Sequence, residues 1–403
     1  MTKKNQIHAD AVLGERLLSL LSGVEQVEFE NFRMEIGDLE LFIPVGIGGV
    51  PGIVLPKEPK RPTELFREGF SPAVESYPGS IREVTLGATK KEGGSRGSTI
   101  TIGGSTTPAF SNPAIPPKNK TAISMDVFDM DVALPKALKA AVLDVMDDPA
   151  EWARMNVNTF GADCVTVHLM STDPLIQDRS PQEAANTVEE VLQAVDVPLI
   201  IGGCGDPKKD AAVFSEVAER ASGERLLLNS VTLDMAEAKT LEGVAKAAHD
   251  NGHLLLAFTG LELNSAKELN RRLYEYMPPE EIVMDLTTVA LGYGLEYSFT
   301  IHERARHAAL MGDSELQHPT ISASTNAWAA REAWMTMEPE YSQKEIRGPI
   351  WETINALTLL LAGVDIFMMM HPSAVRTMQD VRSWMMQQDN AVFEAPDWVR
   401  TRC

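Results

Sequence analysis

The chain has 403 residues, of which 44% are apolar and 23% charged, a composition that builds a sizeable core and excludes a disordered or fibrous protein. Its 57 acidic against 36 basic side chains leave a net charge of -21, which repels phosphate backbones and anionic lipid, so nucleic acid and membranes are set aside as partners. The three cysteines, Cys164, Cys204 and Cys403, are far apart, so this chain alone holds no four-cysteine iron-sulfur cluster.

In chain order, residues 8 to 22 place Val12, Leu13, Leu17, Leu18, Leu20 and Leu21 at helical spacing. Glu15 and Arg16 interrupt the apolar run and no small-residue cleavage site follows, so the segment reads as a short helix rather than a signal peptide. Every apolar run is shorter than the roughly 20 residues of a membrane span, and a soluble cytoplasmic protein is expected. Alternation in "VEFENFRMEIGDLELFIP" then predicts a small β module, and the Gly- and Pro-rich "VGIGGVPGIVLPKEPKRPTE" a linker. Residues 1–81 are thus expected to form an N-terminal extension of helix plus β module, too small to be stable without a docking surface on another subunit.

The stretch "VTLGATKKEGGSRGSTITIGG", residues 84 to 104, is rich in glycine and tests a phosphate-binding reading. A P-loop needs Gly-Lys-Ser/Thr at the start of a helix; here no lysine precedes the serine and a β-patterned run follows. Two alternating runs joined by a polar glycine turn instead predict a β-hairpin, residues 82–105, preceding the main domain. Lys90, Lys91 and Arg96 then read as solvated turn residues or contacts to an acidic neighbour.

Across residues 106–388 short apolar runs alternate with helix-patterned stretches. The runs are 122–128, 164–170, 198–204, 225–231, 253–259, 281–287, 320–325 and 365–371, with helices predicted between them over 210–221, 235–251, 265–277 and 348–363. Strands apolar on both faces imply a parallel sheet covered by helices, and eight such units fit a closed (β/α)8 TIM barrel better than the alternative, an open doubly wound sheet with insertions, with residues 389–403 as a C-terminal tail.

Barrel active sites lie at the C-terminal ends of the strands. Those ends carry Asp126 and Asp129, His168 with Ser171 and Asp173, Cys204 with Asp206, Asn229, Thr259, Asp285, Asn326 and His371. Such carboxylates, amides and imidazoles suit a polar heterocycle, although "GCGDPKKD" and "STDP" also read as helix caps. A metal-dependent reading would use Asp126, Asp129 and His168. No lysine ends a strand, which argues against Schiff-base chemistry, and Cys204 reads as a small buried side chain rather than a nucleophile. His249 and His253 flank an Asn-Gly helix stop, and His302 and His307 point about 140° apart on a helix, so neither pair shares a metal. Gly292, Tyr293 and Gly294, followed by Tyr297 and Phe299, would let backbone approach a large flat body.

"LGATKKEGGSRGSTITIGG", "PLIIGGCGDPKKD", "MDLTTVALGYGLEYSFTIHERARHAALMGD" and "RGPIWETINALTLLLAGVDIFMMMHPSAV", in this order, resemble the small subunit of the corrinoid iron-sulfur protein, which in archaea is the delta subunit of the acetyl-CoA decarbonylase/synthase complex. The resemblance implies a barrel related to pterin-binding methyltransferases, paired with a larger gamma subunit that carries the iron-sulfur cluster and a cobalamin domain. It implies methyl transfer between a methyl-tetrahydropterin and the nickel site of the acetyl-CoA synthase (beta) subunit, in a complex that includes CO dehydrogenase subunits. The chain itself is not expected to be catalytic alone; the alternative is that its barrel binds the methyl-tetrahydropterin and assists transfer. The cobalamin-domain signature D-x-H-x-x-G is absent, so a corrinoid would be shared with the gamma subunit, through Asp126, His168, Asp206, Asn229, Asp285, Asn326 and His371.

Overall fold

The computed structural model describes residues 75–111, 117–338 and 344–386. The chain divides into two units, Met1–Phe70 and Ser71–Cys403, and the described residues belong to the second. The expected N-terminal helix and β module, and the tail after residue 388, lie outside the described residues.

Two short strands, β1 (Val84–Leu86) and β2 (Ile100–Ile102), pair antiparallel, as the hairpin reading requires. The barrel strands are β3 (Ala122–Phe128), β4 (Cys164–His168), β5 (Leu199–Gly202), β6 (Leu227–Val231), β7 (Leu254–Phe258), β8 (Ile282–Asp285), β9 (Thr320–Ala323) and β10 (Ile366–Met369). They close in the order β10-β3-β4-β5-β6-β7-β8-β9, all parallel: a TIM barrel. Each predicted run contains its strand, because residues apolar on both faces are stable only between an inner and an outer packed layer.

Alternation divides each strand between those layers. Ala122, Cys164, Ile200, Leu227, Leu254, Val283, Ile321 and Ile366 point inward and pack with Val84, Leu86 and Ile102 of the hairpin. The hairpin therefore floors the barrel at the N-terminal ends of its strands, and Gly87 and Gly97 donate their N–H groups to the carbonyls of Arg225 and Asp196, just before β6 and β5. Outward residues such as Val165, Val167, Leu199, Ile201, Leu226, Leu228 and Leu255 bury against the surrounding helices. Each fully buried Leu, Ile or Val contributes about 1.5–3 kcal/mol.

One reading of the hairpin turn is corrected. Lys90 and Lys91 are exposed, but Arg96 is 4% exposed. Its guanidinium pairs with Glu224 at 2.9 Å and donates to the carbonyls of Leu192 at 2.8 Å and Val195 at 2.6 Å. Those are orphan carbonyls at the end of α3 (Pro181–Ala194), so the arginine caps a helix from another part of the chain.

The remaining helices are α1 (Lys136–Val142), α2 (Pro149–Asn158), α4 (Lys209–Arg220), α5 (Leu233–Glu237), α6 (Leu241–Asp250), α7 (Leu263–Leu273), α8 (Leu295–Leu310), α9 (Lys344–Leu361) and α10 (Pro372–Met386). Local chemistry sets their starts: Asp148 accepts from the N–H groups of Ala150 and Glu151, and Ser180 with Glu183 forms a capping box. The run 235–251, read as one helix, is broken between α5 and α6, where Lys239 adopts φ 61°. "STDP" starts no helix: Asp173 instead accepts from Leu175 N–H in a turn. Among the described residues no helix is long and apolar enough to cross a membrane.

Candidate functional site at the barrel mouth

Alternation carries Asp126, His168, Asn229 and Asp285 to inward-facing positions at the C-terminal end of the barrel. Phe128, His168, Gly202 and Asn229 are register partners across β3, β4, β5 and β6, so they form one row around the mouth. His168 stacks on Phe128 with ring centroids 5.0 Å apart and 21° between planes. Its other side requires glycine, because a Cβ on Gly202 would lie 2.9 Å from His168 Nδ1. The His168 Nε2 atom is 3.3 Å from Asp126 Oδ1, yet neither Asp126 oxygen has a hydrogen-bond partner. Asn229 reaches across the lumen and donates to Met368 Sδ at 3.6 Å.

Asp285 is buried, and that burial pushes its carboxyl up to about 7 against the opposing N–H of Thr287, which donates to Oδ1 at 2.8 Å. Thr287 is β-branched yet sits at φ 78°, a strained conformation held by that bond and by its hydroxyl, which donates to the Thr259 carbonyl at 2.9 Å. The Thr259 hydroxyl itself is buried without a partner.

The other expected residues are committed to loops. Asp206 is exposed and caps α4 through the N–H groups of Lys208 and Lys209 at 3.0 and 2.7 Å, as the capping alternative for "GCGDPKKD" implies. Asn326 is exposed and donates to the Thr288 carbonyl at 3.0 Å. His371 is half-buried at the start of α10, stacked on Trp328, with Nδ1 accepting from Ser373 N–H at 3.1 Å. Burial pulls its pKa down to about 4, so it is neutral near pH 7.

Asp129 accepts from both the backbone and the hydroxyl of Ser171, which ties the loop after β3 to the one after β4. Among the described residues no three His, Cys, Asp or Glu side chains converge as a metal would need, and the reading with Asp126, Asp129 and His168 gains no support. Cys204 donates its thiol to Asp210 at 3.1 Å, and burial pushes its pKa up to about 11, which leaves it no nucleophile at neutral pH. His253 is a buried brace, with Nδ1 accepting from Leu226 N–H and Nε2 bonded to the Ala218 carbonyl.

Two features escaped the sequence reading. Glu352, fully buried on α9, accepts from Met370 N–H at 2.5 Å, from His371 N–H at 3.0 Å and from the Trp328 indole at 3.0 Å, which fixes the end of β10. Burial raises its carboxyl to about 7, and the nearby Asp126 charge adds to the shift. Its signal was present: Gly348, Glu352, Asn355, Ala356 and Leu359 share one helical face, so an acid sat in the buried stripe. The second is Gly203, where a Cβ would meet the Asp210 carboxyl at 2.4 Å, so the first two glycines of "GGCG" make room for two different side chains.

The model of the family described as CO dehydrogenase/acetyl-CoA synthase delta subunit matches residues 83–370. Relatives named acetyl-CoA decarbonylase/synthase complex subunit delta include one from Archaeoglobus fulgidus, 49% identical over 84% of this chain and 75% of its own. Another, from Methanothermobacter thermautotrophicus, is 44% identical over 95% of this chain and 96% of its own. Among solved structures, a dihydropteroate synthase from Xanthomonas albilineans covers 67% of this chain and 94% of its own at 13% identity and a TM-score of 0.45. With strand-end residues, hairpin and barrel in the order the motifs require, the chain belongs to the CO dehydrogenase/acetyl-CoA synthase delta-subunit family.

Proposed function

We propose that this delta subunit presents its barrel mouth to a corrinoid carried by the larger gamma subunit, while a methyl group passes between a methyl-tetrahydropterin and the acetyl-CoA synthase subunit. The observation that carries the reading is the mouth itself: the inward carboxyl of Asp126 without a partner and the buried, unpartnered hydroxyl of Thr259 just after β7, with exposed apolar side chains in the surrounding loops. That rim includes Leu175, 94% exposed, and Tyr293, Tyr297 and Trp334. An apolar rim around buried acceptors fits a flat macrocycle fringed with carboxamides.

When bound, the corrinoid supplies a cobalt that takes and gives the methyl group. The chain's own part is to orient and to exclude water. Asp126 and Asn229 would hold carboxamide or ring N–H groups, and the tyrosines would cover the ligand edge. Tyr293 donates to Glu332 at 3.1 Å, which couples the loop after β8 to the one after β9. Burial in an assembly also suits α9, whose exposed face after Glu345 is Ile346, Ile350, Ile354 and Leu361, while its charges Arg347 and Glu352 are buried.

Asp285 supports a second reading, in which the barrel binds the methyl-tetrahydropterin itself. A carboxyl held near 7 can both keep and share a proton at neutral pH, as protonation of a ring nitrogen would require. Co-expression with the gamma subunit, gel filtration and a visible spectrum test the first reading: a corrinoid-bearing heterodimer is expected, and two chains that elute separately would refute it. Calorimetry of the full chain alone with methyl-tetrahydrofolate tests the second.

A further inference from the structure

Five aspartates are buried among the described residues, and four of them accept hydrogen bonds. Asp129 is held by Ser171, Asp210 by the N–H groups of Cys204 and Gly205, Asp285 by Thr287, and Asp365 by Gly103 and Thr320. Asp126 is the exception: its side chain is fully buried and both oxygens lack a partner. The ion pair recorded for it is with His168, whose Nε2 is 3.3 Å away but outside hydrogen-bond geometry. A buried acceptor left unmet is costly, so a residue present only for stability would be paired as the other four are.

We propose that Asp126 is the acceptor for paired N–H donors of a ligand seated in the barrel mouth. A carboxylate offers two parallel lone-pair directions, which match two neighbouring N–H groups on one planar edge. The row Phe128, His168 and Gly202 gives this edge a flat aromatic wall, with His168 held upright between the phenylalanine ring and a position that tolerates no Cβ. The inference rests on the reading that a ligand enters the mouth, and two ligands of that reading carry this chemistry: the amino-lactam edge of the pterin and the carboxamides of the corrinoid.

The experiment titrates the full chain with tetrahydrofolate and, separately, with cobinamide, by calorimetry, for wild type, Asp126→Asn and the control Asp250→Asn, an exposed residue at the end of α6. Asparagine keeps the shape but turns a donor toward the ligand's donors. Wild type is expected to bind at least one probe, Asp126→Asn to lose at least tenfold in affinity for it, and Asp250→Asn to match wild type; the probe affected identifies the source. The unfolding midpoint of Asp126→Asn should equal or exceed that of wild type, since neither oxygen gives up a hydrogen bond in the exchange. Equal binding by wild type and Asp126→Asn, binding of neither probe by wild type, or a lowered midpoint in the variant overturns the inference. Assembly with the gamma subunit, measured on the same proteins, separates the two levels: if the chains assemble while Asp126→Asn is without effect, only the inference falls.

Discussion

At the scale of single residues, the buried titrating groups set opposite limits on stability. Asp285 and Glu352 are held near 7 by burial, above their unfolded values near 4, so the native state binds the extra proton. Their contribution is full below about pH 4 and is lost as the pH rises through about 7. His302, His371 and His318 are pulled down by burial to about 4, 4 and 3, so their contribution is present above pH 6.5 and is lost as the pH falls toward those values. Asp285→Asn should therefore match wild type near pH 4 and exceed it by roughly 2–4 kcal/mol at pH 7, read from urea unfolding at both pH values. His302, with both ring nitrogens buried and unpartnered, gives the acid-side test: His302→Leu should move the acid-unfolding midpoint, followed by circular dichroism, to lower pH. Strand-end position alone brought Asp126, His168, Asn229 and Asp285 to the mouth. Asp206, Asn326 and His371 have the same sequence credentials, and only loop geometry shows that their side chains are engaged elsewhere.

At the scale of elements, glycine and arginine carry the least obvious constraints. Gly348 lies inside α9, where an exposed glycine-to-alanine change would stabilise by about 1 kcal/mol. A Cβ there would fall 2.1 Å from the Trp328 ring, so Gly348→Ala should instead destabilise by about 1–3 kcal/mol and weaken the Trp328 fluorescence signature of the native state. Arg96→Met removes the cap of α3 and leaves Glu224 without its guanidinium; a loss of about 3 kcal/mol in chemical unfolding is expected. A solvated turn arginine would cost under about 0.5 kcal/mol, so the measurement decides between the two readings. The strands were legible because two-sided burial needs unbroken apolar runs. The break between α5 and α6 was not, since nothing in "EAKTLEG" shows that Lys239 must turn left-handed.

At the scale of the whole molecule, the hairpin and the barrel form one core. Val84, Leu86 and Ile102 share a cluster with the inward residues of the barrel strands, so deleting residues 82–105 should expose the floor and abolish cooperative unfolding. A chain that starts at residue 75 should keep a single cooperative transition in calorimetry, because the described residues all belong to the second unit. The amino-acid sequence by itself determined the barrel, its hairpin and the family, since all three are written in local patterns: apolar runs, alternation, and long ordered motifs. Tertiary structure alone decided which polar side chains are satisfied. Arg96 finds its carbonyls about a hundred positions away at Leu192 and Val195, Glu352 finds its donors at Met370, His371 and Trp328, and Asp126 finds none. Hydrogen-bond satisfaction depends on which distant groups the fold brings within about 3 Å, and no local pattern encodes that.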